Sequence, residues 1–133
     1  MIIDLNSAKN EANGDDIKAI QLETLDSITE YIPSLLKGIN TVVPELAGEE
    51  KEDTWEYLRM IIDGFNWVIE AYNGTASLIN ENGDINNSEI TEKTKRLGDA
   101  YRAKNGAEVA AILKDEIVPF VEKVESLAKA YKA

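Results

Sequence analysis

The sequence contains no histidine and no cysteine, and these absences remove most of the side chains that carry protein chemistry. Without cysteine there is no disulfide, no thiol nucleophile and no thiolate zinc site. Without histidine the chain lacks the commonest general base and the usual transition-metal ligand, including the histidine of a ferritin-like di-iron site. Only carboxylate-based sites remain as chemical options. We therefore expect a non-enzymatic protein without a cofactor.

Basic residues are also few, since 14 lysines and arginines face 25 acidic residues and give a net charge of -11. Nucleic-acid backbones demand clustered positive charge, so a nucleic-acid partner is not expected. No apolar run approaches the ~18 residues of a membrane span, and the start of the chain does not resemble a signal peptide. These features predict a cytoplasmic protein that does not bind membranes.

The length of 133 residues with 44% apolar residues fits one domain with a sizeable core. Residues 1–14 lack a helical apolar period and end in an Asn-Gly pair. We interpret them as a flexible N-terminal arm. Residues 15–133 are then a single helical domain.

The first predicted helix has apolar residues at alternating steps of three and four, which place them on one face. They are Leu25, Ile28, Ile32, Leu35, Ile39, Val42 and Leu46. Asp15 or Asp16 is expected to cap this helix. Pro33 lies inside it and predicts a kink one turn earlier. Pro44 predicts that the helix stops by Val43.

The second predicted helix begins at Asp53, where Glu56 completes a spacing typical of a capping box, and ends at Asn82-Gly83. The stripe predicted for its core face consists of residues 55, 58, 62, 65, 69, 72, 76 and 79. Two glycines, Gly64 and Gly74, fall within the helix without interrupting that stripe.

Two shorter patterns complete the domain. Ser88 is expected to cap a third helix that runs to about Lys104, and the Asn105-Gly106 pair makes the next turn. Asn105 also opens a fourth helix, which contains Pro119. No run alternates with a period of two. The fold class predicted is all-α, an antiparallel up-down four-helix bundle with proline-kinked helices 1 and 4.

Helix 2 carries more apolar residues than one face of a bundle needs. On one flank a seam alternates large and small residues, namely Met60, Gly64, Trp67, Ala71, Gly74 and Leu78. Such alternation makes hollows beside projecting side chains and suits close approach of a helix. Two interpretations stay open: internal packing on helix 3 or 4, or an exposed groove for a partner helix or a second copy of the chain. Exposure of Trp67 separates them.

Acidic residues concentrate between helices 1 and 2. Residues 1–66 hold 14 acidic and five basic residues, whereas residues 67–133 hold 11 and nine. The densest group contains Glu49, Glu50, Glu52 and Asp53. Solvated helix ends are one interpretation, and steering of a basic partner is the other.

The loop over residues 78–89 partly matches the twelve-residue calcium loop of EF-hands. The candidate metal ligands are Asn80, Asn82, Asp84, Asn86 and Glu89, with Gly83 at the position of the turn glycine. The first position, however, holds Leu78, whose side chain has no oxygen. An ordinary Asn/Gly-rich turn is the alternative interpretation.

Acidic pairs at a spacing of three could hold magnesium, as they do in all-helical nucleotide pyrophosphohydrolases. The pairs are Glu49 with Glu52, Glu50 with Asp53, and Glu81 with Asp84. Because they lie before helix 2 or in a loop, we do not expect them to converge.

Two segments, residues 61–70 (IIDGFNWVIE) and 112–122 (ILKDEIVPFVE), resemble an uncharacterised family of small, acidic, all-helical proteins of Gram-positive bacteria, some linked to motility genes. The resemblance implies no activity and no catalytic residues. It implies that Gly64, Trp67 and Pro119 are features of a shared architecture.

The overall profile is similar to flagellar and other secretion chaperones, which is an analogy of class. The leading hypothesis is a non-enzymatic helical bundle that binds another protein, as an export chaperone, adaptor or immunity-type factor, through the helix 2 seam and the acidic connection. The alternatives are a small carboxylate-only divalent-metal domain, including a magnesium-dependent nucleotide hydrolase, and a structural homodimer.

Overall fold

The computed structural model describes residues 14–132 of the 133-residue chain. Within that range the regular structure is entirely helical. The helices are α1 (Gly14–Ala47), α2 (Thr54–Ile79), α3 (Asn87–Arg102) and α4 (residues 106–132). The all-α prediction is confirmed for this part of the chain. The arm expected at residues 1–14 lies, except for its last residue, outside the described residues.

The predicted stripe of α1 is confirmed, because all seven of its apolar residues are buried. The predicted end is wrong, since α1 continues through Pro44 to Ala47. An internal proline costs about 3 kcal/mol, and burying a leucine contributes about 1.5–3 kcal/mol. Leu46 is only 3% exposed, so its burial offsets much of the cost of Pro44. The helix already includes Gly14, so Asp15 and Asp16 lie inside it rather than at its cap.

The core face of α2 is half as predicted and half shifted. Leu58, Phe65, Tyr72 and Ile79 are buried as expected, but Ile61, Val68 and Thr75 are buried in place of Ile62, Ile69 and Ala76. Because the apolar arc of this helix is wide, periodicity alone did not fix which side faces inward. The helix also ends at Ile79, three residues before the predicted Asn-Gly stop.

The predicted caps have mixed outcomes. Asn105 caps α4 through its side chain, which accepts from the Glu108 N–H at 3.1 Å, as predicted. Asp53 is the cap residue of α2 but its side chain makes no capping bond. The cap of α3 is Asn86 rather than Ser88, since the Asn86 side chain accepts from the Ser88 N–H at 2.9 Å.

The helix α4 changes its hydrogen-bonding pattern one turn before Pro119. It is α-helical over Gly106–Ile112, π-helical over Leu113–Ile117 and α-helical again over Val118–Lys132. The Val118 N–H donates to the Leu113 carbonyl five residues back. Proline lacks an N–H and crowds the carbonyl four residues earlier, so a wider turn keeps the helix continuous. Pro119 therefore lies inside the helix as predicted, and the kinks at Pro33 and Pro119 stay predictions.

The core lies among α1, α2 and α4, with aromatic rings at its centre. The ring of Phe120 packs edge-on against Phe65, at 5.9 Å between centroids, and against Tyr72 at 6.0 Å. The helix α3 makes its close backbone contacts mainly with the first half of α4. The flank of the α1–α2 pair that carries Met60 and Trp67 is left exposed.

Candidate functional site

The helices α1 and α2 pack along one another, and their residues meet in reverse order. Near the start of α1, the Gln21 side chain donates to the Gly74 carbonyl at 3.1 Å. Near its end, Glu45 accepts a hydrogen bond of 2.8 Å from the Thr54 hydroxyl. That hydroxyl also accepts from the Lys51 N–H at 2.7 Å. These bonds tie both ends of the pair.

Between the tied ends, each helix places a tyrosine against a glycine of the other. A Cβ at position 64 would overlap the Tyr31 hydroxyl and lie 3.0 Å from its Cζ atom. A Cβ at position 38 would lie 3.2 Å from the Tyr57 hydroxyl. The absence of side chains at Gly38 and Gly64 therefore makes room for two tyrosines, and lets the helices approach closely.

A groove of about 590 Å³ opens where Tyr31 meets Gly64. Its apolar part consists of Tyr31, Gly64 and Trp67, whose indole packs edge-on against the tyrosine at 5.4 Å between centroids. Hydroxyl and carboxylate groups form the rest of its lining, from Ser27, Ser34, Glu30 and Asp63. Burial raises the pKa of the Tyr31 hydroxyl above its ordinary value. The groove is thus apolar at its base and acidic at its rim.

The predicted seam of α2 does not form one uniform surface. Met60 is 63% exposed and Trp67 is 39% exposed, whereas Ala71 is only 8% exposed. Leu78 is partly buried against the core and Gly74 is exposed. Gly64 faces α1, so the interpretation that placed this flank against helix 3 or 4 is wrong at that position. Trp67 and Met60 remain as the exposed large apolar members of the seam, and Trp67 lines the groove.

Acidic side chains follow the groove along both helices at a spacing of seven residues. They are Glu56, Asp63 and Glu70 on α2 and Glu23 and Glu30 on α1, and all five are exposed. Residues seven apart lie on nearly the same side of a helix. None of the five takes part in an ion pair within the described chain. These rows were not predicted, although their seven-residue spacing is visible in the sequence.

The acidic connection between α1 and α2 is a separate surface. Its four candidate residues, Glu49, Glu50, Glu52 and Asp53, are all exposed. Glu50 accepts a hydrogen bond from the Trp55 indole, and the Lys104 ammonium lies 4.7 Å from the ring centres of Trp55 and Tyr101. Along α2, Thr54 is roughly 15 Å from Gly64 at 1.5 Å per residue. The connection therefore lies at the end of the helix pair and not in the groove.

Residues 23–127 match a family described as a domain of unknown function, DUF8042. That match covers most of the chain. The chain belongs to the DUF8042 family. The matched region includes every residue that lines the groove, and the match agrees with the expectation of an uncharacterised family. No curated protein and no solved structure matches the chain.

The DUF8042 match also contains the loop between α2 and α3, where Asn80 organises the backbone. Its amide donates to the Ile85 carbonyl at 3.0 Å and to the Tyr72 hydroxyl at 2.8 Å. Its carbonyl oxygen accepts from the Ile85 N–H at 2.9 Å. Two of the candidate calcium ligands, Asn80 and Asn86, are therefore engaged in loop closure and helix capping. Gly83 has a φ of 72°, which fits its predicted turn.

The remaining candidate metal ligands are spread over the surface. Asn82, Asp84 and Glu89 are exposed, as are Glu49, Glu52 and Glu81 of the magnesium pairs. Among residues 16–132, whose side chains the structure describes, no three acidic side chains are close enough together to hold a metal ion. In the same range, no helix combines the length and apolarity needed to cross a bilayer.

Proposed function

We propose that this DUF8042 protein is a cytoplasmic, non-enzymatic four-helix bundle that binds another protein through the groove between α1 and α2. The observation that carries the proposal is the exposure of Trp67 in the groove at Gly64, with Met60 exposed one turn before Gly64 on α2. Large apolar side chains grouped around a concave surface are typical of protein-binding sites. Tryptophan and methionine are also enriched in such contacts.

The chemistry of the groove favours binding over catalysis. Its polar side-chain groups are two carboxylates, two serine hydroxyls, one phenol and one indole N–H. A serine nucleophile needs a base, and the lining residues include no lysine to replace the missing histidine. Burial raises the pKa of the Tyr31 phenol above its ordinary value, so this group does not supply a base at neutral pH. The groove therefore offers shape and charge to a partner.

The acidic connection has a supporting role in this proposal. Glu49, Glu52 and Asp53 project from the end of the helix pair, where their charge adds to that of the groove rim. Exposed charges of one sign raise association rates more than they raise affinity. An adaptor or export chaperone fits these features, because either binds a second protein without chemical change.

Affinity capture from the native lysate with matched variants tests the proposal. Trp67→Glu places a charge in the groove. The control, Leu22→Glu, places the same charge at an exposed position of α1 that does not line the groove. We expect Trp67→Glu to lose partners that the wild type and Leu22→Glu retain. Circular dichroism shows that each bait is folded. Identical partner sets from all three folded baits would remove the groove from consideration.

A further inference from the structure

The groove lies between two rows of carboxylates that point to one class of occupant. On α2 the row spans Glu56 to Glu70, which is about 21 Å at 1.5 Å per residue. On α1 the facing row contains Glu23 and Glu30 and ends where Lys37 occupies the next position of the spacing. The row on α2 is thus long enough to follow four turns of a helix.

We infer that the occupant is a basic amphipathic α-helix of a partner protein, whose apolar side chain enters the hollow at Gly64. This inference rests on the proposed function and names its partner. Lysine or arginine on both flanks of the occupant meets Glu30 on one side and Asp63 on the other. Amphipathic helices bind in apolar grooves through side chains spaced by three, four and seven residues, which matches the seven-residue rows.

The charges argue against a second copy of the chain as the occupant. Placing this face on its own copy brings the rows of Glu30 and Asp63 against carboxylates of the same sign. Like charges facing each other across an interface oppose association. The net charge of -11 adds long-range repulsion between copies. A basic partner is attracted both by the facing carboxylates and by the net negative charge of the chain.

Two synthetic peptides test the inference directly. Both have about 20 residues and leucine at helical spacing, and they differ only in lysine or glutamate on the flanks. Calorimetry at 50 mM salt measures their binding to the full chain. We expect the lysine peptide to bind at least tenfold more tightly than the glutamate peptide. Its affinity should fall as salt shortens the Debye length from about 14 Å towards about 4 Å at 0.5 M.

Variants locate the binding. Trp67→Ala should lower the affinity for the lysine peptide by about 30-fold, which is the loss of affinity expected for truncating a central aromatic contact. Leu22→Ala, at an exposed leucine outside the groove, should change the affinity less than about twofold. The alanine replacements keep the net charge constant, so they report the apolar contact alone.

Charge reversals test the acidic rows. The double variant Glu30→Lys with Asp63→Lys should lower the affinity for the lysine peptide at least tenfold. The matched control, Glu92→Lys with Glu122→Lys, makes the same change in net charge on α3 and α4. It should leave most of the affinity intact, because neither residue lines the groove or belongs to its acidic rows.

The outcomes separate this inference from the proposed function. Equal binding of both peptides, with Trp67→Ala weakening both, overturns the basic partner and leaves a protein-binding groove. Equal effects of the two charge-reversal pairs overturn it as well. Absence of binding by the lysine peptide at millimolar concentration overturns it, and the lysate comparison then decides the proposed function alone. Self-association that Trp67→Ala abolishes identifies a second copy as the occupant.

Discussion

The hydroxyl of Tyr31 on α1 occupies the space that a side chain at position 64 of α2 would fill. The tyrosine also supports Trp67, whose indole meets its ring edge-on at 5.4 Å between centroids. Gly64 therefore contributes, together with Gly38, to the close approach of the helices, and it makes room for the tyrosine that supports the exposed tryptophan. The groove depends on Gly64 as much as on its aromatic side chains.

Gly64→Ala should lower the free energy of unfolding by about 1 kcal/mol. Overpacking costs about 1–3 kcal/mol, while replacing glycine by alanine inside a helix contributes about 1 kcal/mol in the opposite direction. Gly74→Ala is the matched control, because a Cβ there meets nothing within 4 Å. It should raise the free energy of unfolding by about 0.5–1 kcal/mol. Urea denaturation measures both variants.

The hydroxyl of Tyr31 is the atom most directly in the way of the new methyl group. The decrease in the free energy of unfolding caused by Gly64→Ala should therefore be smaller in a Tyr31→Phe background. A double-mutant cycle measures the coupling free energy between the two positions. If Gly64→Ala raised the free energy of unfolding as much as Gly74→Ala, Tyr31 would move aside freely, contrary to the prediction.

Gly106→Ala should destabilise the protein by about 2 kcal/mol, within the range of overpacking. A Cβ at position 106 would lie 2.7 Å from the Leu46 carbonyl oxygen, and that backbone atom cannot rotate away. At Gly98 the nearest atom is the end of the flexible Arg102 side chain at 3.3 Å. Gly98→Ala is thus the control and should be neutral or stabilising. Equal thermal midpoints for the two variants would contradict this account.

The sequence predicts single-stripe helices well and wide-arc helices poorly. Along α1 one set of positions is apolar, so the buried face follows from spacing alone. Along α2, Ile61 and Ile62 are equally apolar, and only packing against α1 and α4 decides that Ile61 is the more buried. The end of α1 was missed for a similar reason. The burial of Leu46 favours continuing the helix past Pro44, although proline locally disfavours a helix. That burial depends on tertiary packing, which the local sequence does not show.

The candidate site was found in part. Trp67, Gly64 and Met60 stand out in the sequence because they alternate in size along one flank. Tyr31 could not be found in this way, since it lies on another helix, 33 positions from Gly64 in the chain. The turn after α3 was also misjudged. Lys104, with a φ of 57°, adopts the left-handed conformation, while Gly106 begins α4.

Asn80→Ala should destabilise the protein by about 2 kcal/mol. The change removes three side-chain hydrogen bonds and leaves both backbone groups of Ile85 without their partner. An unsatisfied buried group costs about 1–3 kcal/mol. Asn82→Ala, in the same loop but exposed, should stay within about 0.5 kcal/mol of wild type. Urea denaturation of the two variants measures the difference.

Calcium should leave the thermal midpoint of the wild type unchanged at millimolar concentration. The Asn80 amide already closes the loop onto Ile85, and Leu78 offers no oxygen at the first ligand position. A ligand that binds only the folded state raises the midpoint, so calorimetry detects even weak binding. A rise with calcium that Glu89→Gln abolishes would revive the metal hypothesis.

Stability should fall at alkaline pH because Tyr72 is buried and Tyr31 is partly buried. Burial raises the pKa of Tyr31 and of Tyr72 in the folded state above the ordinary value of about 10. Their contribution is fully present below the unfolded pKa, and it is lost as pH rises from there through the folded pKa. Urea denaturation between pH 8 and pH 11 should show this decline.

Phenylalanine variants identify the groups responsible for the alkaline decline. Tyr31→Phe and Tyr72→Phe should each reduce the slope of stability against pH and remove part of the late absorbance change of the phenols. The hydrogen bond from Asn80 lowers the pKa of Tyr72 and opposes the effect of its burial. Asn80→Ala should therefore shift the Tyr72 titration to higher pH. A shift to lower pH in that folded variant would show that exposure of the loop, rather than loss of the hydrogen bond, controls this phenol.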